Sequence, residues 1–191
     1  MQPRELFRFC PKCGGAVSPN SSPLKCAACG FTFYFNPTVA AAAFIADGAG
    51  KYAFIRRAKD PGKGKLTVAG GFIDIGETAE EGLVREIREE LGLVVTDVQY
   101  LTSMTNSYFY RDVTYPVCDL MFHAVAANPE AAQALDGTAS YEWAELAAID
   151  PAEFAFPAVR KGWELLVGRS PRGEAGAESL PACRRPTEAD A

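Results

Sequence analysis

Apolar and polar positions follow several rhythms along this chain, and each rhythm predicts a different element. Between residues 78 and 91 the apolar positions recur with helical spacing. Leu83, Val84, Ile87 and Leu91 fall on one stripe at about 100° per residue. A helix from Thr78 to Leu91 is predicted, bracketed by Gly76 and Gly92, with that stripe toward the core. Val39 to Ala46 is a nearly unbroken apolar run, the pattern of a strand buried on both faces. Asp47-Gly48-Ala49-Gly50 predicts a hairpin turn, and Tyr52 to Arg57 the returning strand. Leu66 to Ala69 reads as a short strand leading into Gly70-Gly71, and Phe72 to Ile75 as a second extended piece. Val94 to Leu101 is extended, Thr102 to Arg111 a polar, aromatic loop or strand end, and Tyr115 to Ala126 a long strand. Within that strand, Cys118 reads as a small buried hydrophobe and His123 as a packed residue without a catalytic role.

Beyond it, Asn128 to Ala139 is a connection with a helical turn at Glu130 to Leu135. Tyr141 to Ala144 is a strand, and Glu145 to Ile149 a turn ended by Pro151. Pro157 to Val167 is a helix with Val159, Trp163, Leu166 and Val167 on its apolar face. From Gly168 onward Gly, Pro, Ser, Glu and Arg dominate, which predicts a disordered tail with Cys183 as a free thiol. The order predicts an α/β (α+β) sandwich, a mixed sheet covered by helices.

Composition narrows the class. The 48% hydrophobic and 23% charged content is that of an ordinary globular protein. No apolar run approaches the roughly 20 residues of a membrane span. Met1 to Glu5 lack the basic-then-apolar layout of a signal peptide, so a cytoplasmic location is expected. The net charge of −5 argues against a nonspecific nucleic-acid binder, and no membrane partner is expected.

That negative charge is concentrated around the predicted helix. Between Gly71 and Leu93, seven acids (Asp74, Glu77, Glu80, Glu81, Glu86, Glu89, Glu90) face two bases, Arg85 and Arg88. Glu86, Glu89 and Glu90 are spaced i, i+3 and i+4 and share a stripe, where like charges repel by a few tenths of a kcal/mol per pair. A hard divalent cation reverses that sign, because Mg²⁺ favours carboxylate oxygens, water and phosphates. The alternative is an exposed acidic helix.

The longer pattern favours the metal. It runs Gly71, five residues, Glu77, seven residues, then Arg-Glu-Ile-x-Glu-Glu-x-Gly-Leu from Arg85 to Leu93. This resembles the Nudix box, the signature of the Nudix hydrolases, with every fixed position filled. The resemblance covers residues 38–168. It implies an α/β/α sandwich and a loop–helix–loop holding Mg²⁺ or Mn²⁺ against a diphosphate. It assigns Glu86, Glu89 and Glu90 as metal ligands, with the Gly71 carbonyl completing the shell. Glu77 would support the loop and Arg85 would orient the carboxylates. The general base varies in this family. Here it is sought among the box glutamates, Glu89 and Glu86, and the later acids Asp136 and Glu142.

Residues 1–37 are a separate module. Cys10-Pro-Lys-Cys13 and Cys26-Ala-Ala-Cys29 are separated by twelve residues, and glycine follows each pair. Two such knuckles suit one Zn²⁺ held by four thiolates, a closed and therefore structural site; two disulfides in a secreted chain are the alternative. The segment resembles a zinc ribbon. Its mild positive excess (Arg4, Arg8, Lys12, Lys25 against Glu5) reads as solvated surface rather than a nucleic-acid site.

A ribbon followed by this box is similar to the NADH pyrophosphatases. Those carry a Ser-Gln-Pro-Trp-Pro-Phe-Pro-like run after the box, where this chain has Thr102-Ser-Met-Thr-Asn-Ser-Tyr108. The expected substrate is therefore a nucleoside diphosphate linked to another moiety, such as ADP-ribose. NADH or an NAD cap is the alternative. Phe72, Tyr108 and Tyr110 are candidates to stack on the base, with core packing the equal alternative, and the loop Lys59 to Lys65, with three lysines, is a candidate to neutralise phosphate, with a plain exposed loop the alternative. A reading of another class is a non-catalytic metabolite sensor whose ribbon contacts nucleic acid. Many relatives form homodimers, which the resemblance extends to this chain as an expectation.

Overall fold

The computed structural model describes residues 1–19 and 21–168. The expected tail and Cys183 lie outside the described residues, apart from Gly168, which ends the last helix. The N-terminal module contains a short helix α1 (Pro3–Leu6) and two paired strands, β1 (Leu24–Lys25) and β2 (Thr32–Phe33). Strand β2 stops at Phe33, because β1 offers only two residues to pair with. Phe7, Phe33 and Phe35 fill the module instead, with ring centroids 5.1 to 6.1 Å apart.

Nine further strands and α-helices follow among the described residues: β3 (Thr38–Ala46), β4 (Tyr52–Arg57), β5 (Leu66–Thr67), β6 (Ala69–Phe72), α2 (Ala79–Leu91), β7 (Val95–Tyr110), β8 (Val113–Ala126), β9 (Thr138–Ala144) and α3 (Pro157–Gly168). Strand β3 is central. It runs parallel to β8 on one edge, and on the other it pairs antiparallel with β6 and then β4. Strands β5 and β9 flank β4, and β7 flanks β8.

The apolar run of β3 is explained by its position between two cores. Ala41, Ala43 and Ile45 pack on one face with Leu83, Ile87 and Leu91 of α2. Phe44, with Phe54, Val68 and Met121, packs on the other face with Ala158 and Val159 of α3. This is the expected sandwich of a mixed sheet between helices. Full burial of each such side chain stabilises the fold by about 1.5–3 kcal/mol. Among the described residues no helix is long and apolar enough to cross a membrane.

Four local expectations are corrected or narrowed. Of the two readings of Thr102 to Arg111, strand rather than loop holds: β7 runs to Tyr110 and turns at Arg111-Asp112, both left-handed at φ 45° and 67°. Its polar residues belong in a strand because β8 pairs with it along its length. The helical turn after Asn128 covers Pro129–Ala131 rather than Glu130 to Leu135. The extended piece after Gly71 stops at Phe72, leaving Ile75 fully exposed on a turn. Cys118 is half-buried rather than buried.

Candidate active site

Helix α2 owes its position to its ends. Thr78 caps it: the Glu81 N–H donates to Thr78 Oγ1 at 3.2 Å, and the Thr78 N–H donates to the Glu81 carboxylate at 2.8 Å. Gly92 closes the far end in the left-handed region at φ 68°. With Leu83, Ile87 and Leu91 buried against the sheet, the acidic stripe is carried across β6.

Two glycines allow close approaches here, Gly70 toward β3 and Gly71 toward α2. A Cβ on Gly70, whose φ is 150°, would collide with the Ala41 carbonyl and the Ala42 Cα. A Cβ on Gly71 would collide with the Glu86 carboxyl group. Glu86 therefore lies directly over Gly71. Glu90 lies beside it, its Oε2 accepting the Gly70 N–H at 3.0 Å. Burial pushes the Glu90 carboxyl up to about 7, and Glu86 and Asp136 add to the shift while the Gly70 N–H and Arg57 oppose it.

Arg85 fastens the loop to the helix. Its Nε donates to Glu77 at 2.8 Å, and its Nη2 donates to Glu77 and to the Phe72 carbonyl, both at 3.0 Å. Its Nη1 donates to Glu86 at 2.8 Å and to Glu89 at 3.2 Å. The fork thus engages all five of its N–H donors. Arg85 and the Asp74 N–H hold the Glu77 carboxyl down at about 2.

A cleft of about 410 Å³ opens beside these carboxylates, within the range of small-molecule sites. Gly71, Glu86, Glu90, Arg85, Phe72 and Tyr108 line it. The Phe72 and Tyr108 rings meet edge to face at 5.5 Å. Glu89 is turned outward from the lining toward solvent, tied to Arg85, with its side chain 53% exposed. Tyr110 lies at the tip of the β7–β8 hairpin, under the Arg111 guanidinium at 5.2 Å, and does not line the cleft. Glu142 is on edge strand β9, 3.7 Å from Arg56, and is likewise outside the lining. Asp136 is closer to the acids: its N–H donates to the Glu89 carbonyl at 3.3 Å, and its carboxylate faces Lys59 at 3.7 Å. The lysines of the 59–65 loop are absent from the lining. Arg57 is present, held by the Pro61 carbonyl at 2.6 Å and by the Phe156 ring at 4.9 Å.

Reading the sequence alone missed Arg57, Asn106 and Asp119 among the polar residues of the cleft. The available signal was a single acid inside the apolar run of β8. His123 is clear of the cleft, half-buried against Tyr52 at 5.9 Å, and burial lowers its pKa.

In the N-terminal module the four cysteine sulfurs converge. Their Sγ atoms all lie within 4.8 Å of one another. The chain turns tightly behind each pair, the Gly14 N–H donating to the Cys10 carbonyl and the Gly30 N–H to the Cys26 carbonyl, both at 2.9 Å. Among the described residues, this is the group of His, Cys, Asp or Glu side chains whose ligand atoms meet so closely.

Comparison with known proteins agrees with this architecture. The family model described as the NUDIX domain matches residues 36–165. An NAD-capped RNA hydrolase, NudC, from Vibrio vulnificus is 31% identical over 101 residues, covering 52% of this chain and 38% of that protein. An ADP-ribose pyrophosphatase from Methanocaldococcus jannaschii is 42% identical over 64 residues, covering 34% of this chain and 37% of that protein. The matches thus span less than two fifths of these two relatives' length. A NUDIX hydrolase from Nitrosomonas europaea superposes with a TM-score of 0.63 at 22% identity, covering 82% of this chain and 88% of its own, a likeness of fold. With a family model matched over most of its length, this chain belongs to the Nudix family.

Proposed function

We propose that the protein hydrolyses the diphosphate of a nucleoside diphosphate linked to another moiety, with ADP-ribose the favoured substrate. The convergence of Glu86 and Glu90 over Gly70-Gly71, at the wall of a ligand-sized cleft, carries this reading. The donor set suits Mg²⁺ or Mn²⁺: two neighbouring carboxylates, Glu86 and Glu90, the latter half-buried and short of cationic partners, are what a hard cation stabilises. Glu86, Glu89, Glu90 and the Gly71 carbonyl would hold it. Such an ion, when bound, neutralises charge on the phosphoryl oxygens and makes water more acidic.

The rest falls to the chain's own residues. Arg85 orients Glu86 and Glu89, and Glu77 locks Arg85 in place. Arg57, immobilised at the cleft wall, pairs with phosphate. Phe72 and Tyr108 receive the base. Asp136 is favoured over Glu142 among the later acids as the proton acceptor, because its N–H joins the Glu89 carbonyl on α2, whereas Glu142 sits on β9. Cys10, Cys13, Cys26 and Cys29 would hold one structural Zn²⁺, which a reducing cytoplasm permits. Tyr100, Phe109 and Tyr110 are exposed along β7, surface that a second copy would cover in a homodimer.

The test is a product-resolved screen with Mg²⁺ over ADP-ribose, NADH, NAD⁺, NAD-capped RNA, dinucleoside polyphosphates, nucleotide sugars and nucleoside triphosphates. Fastest hydrolysis of ADP-ribose is expected. The likeness to NudC motivates the second reading, which fastest turnover of NADH or the NAD cap would favour. No turnover of any substrate would sink the hydrolase reading and favour a sensor.

A further inference from the structure

Asn106 and Asp119 have no part in the chemistry above, yet both face the cleft. Their placement follows from strand register. Phe72 of β6 is opposite Ala40 of β3, and Ala40 is opposite Asp119 of β8. Asp119 is therefore two strand spacings from β6, roughly 10 Å across the sheet. It shares the parity of Met121, whose side chain packs in the α3-side core, so it stands on the sheet face opposite α2. On this face Ala40, Ala42 and Gly70 form a floor with little bulk. Phe72 and Tyr108 border it on one side.

The hydrogen bonds orient the pair. Asn106 Oδ1 accepts the Ser107 N–H at 2.7 Å, which turns the amide nitrogen toward Asp119. Asn106 Nδ2 then donates to Asp119 Oδ2 at 2.8 Å. Asp119 Oδ1 accepts no hydrogen bond among the described residues. Partial burial disfavours the charged form of this carboxyl, with Asn106 opposing the shift. A half-desolvated acceptor with a free oxygen, in the same cleft as Glu86 and Glu90, calls for a donor on the ligand.

We propose that Asp119, oriented by Asn106, is the specificity residue of the cleft and accepts a hydrogen bond from the exocyclic amino group of adenine. This rests on reading the cleft as a nucleotide site, and its test needs no turnover. Calorimetry without divalent metal compares AMP with purine riboside 5′-monophosphate, in which hydrogen replaces the amino group. A hydrogen bond to a charged acceptor is worth about 10-fold or more in affinity. Wild type is expected to prefer AMP by at least that factor. The preference falls to near one in Asp119→Ala and is intermediate in the isosteric Asp119→Asn. A purely structural tie between β7 and β8 would weaken both ligands equally and preserve the ratio. An unchanged ratio in both variants, no preference in wild type, or no AMP binding would overturn the proposal. If the preference holds but no substrate of the screen is hydrolysed with Mg²⁺, the hydrolase reading fails and the subsite stands.

Discussion

Arg85 illustrates how a single side chain sets the geometry of the site. Its planar fork reaches Glu77, Glu86, Glu89 and the Phe72 carbonyl at once, which a lysine ammonium with three donors does not. Arg85→Lys is expected to cost about 2 kcal/mol of stability and to lower kcat/KM at least ~10-fold, since charge-assisted bonds to partly buried carboxylates are lost. Thermal melting and steady-state kinetics check both. Glu90 gives a pH dependence. Its folded-state value of about 7 exceeds its ordinary 4.5, so the folded protein binds the extra proton. In the metal-free protein its contribution is full below pH 4.5 and is lost as pH rises through 7. His123, the sole histidine, acts in the opposite direction: burial lowers its pKa, so its neutral form contributes stability above 6.5 that is lost on acidification. The Glu90 contribution to metal-free stability is therefore expected to fall between pH 5 and 8, against opposing contributions from His123 and from Cys26, held down at about 7, and Glu90→Gln to remove that fall. Denaturant melts in EDTA at the two pH values decide it; the same pH dependence in wild type and Glu90→Gln would contradict the burial of this carboxyl.

Helices and strands were legible to different degrees. Helix α2 was readable because its apolar period, flanking glycines and acids agree, and the box spacing repeats the same message. Strand β7 was not, because its second half owes its conformation to β8 rather than to its own polar and aromatic residues. The cleft residues Asn106 and Asp119 were hidden for the same reason: only strand register brings them together. Helix α3 offers a test of packing against propensity. Gly162 faces Phe44, and a Cβ there would stand 2.6 Å from the ring. Alanine favours a helix over glycine by about 1 kcal/mol. Overpacking a filled core costs about 1–3 kcal/mol. Gly162→Ala is therefore expected to destabilise by up to about 2 kcal/mol in denaturant unfolding; a gain in stability would show that the α3 interface yields. Thr78→Ala, which removes the cap of α2, is expected to cost about 1 kcal/mol.

At the scale of the molecule, a sheet cored on both faces carries the cleft, and a cysteine-bearing module precedes it. The cysteine spacing was readable because metal ligation constrains sequence locally, without long-range register. Chelation or Cys26→Ser is expected to make residues 1–37 protease-sensitive, and protein purified under reducing conditions to contain one zinc per chain. Absence of zinc would refute the four-thiolate site. The central claim concerns the acids over Gly71, and the most direct measurement is Mg²⁺-dependent turnover of ADP-ribose by wild type and Glu86→Gln, with AMP and ribose 5-phosphate quantified. The account predicts hydrolysis by wild type and a kcat at least ~10²-fold lower in the variant, the scale expected when electrostatic stabilisation of the transition state is lost. Equal turnover in the two proteins would contradict it.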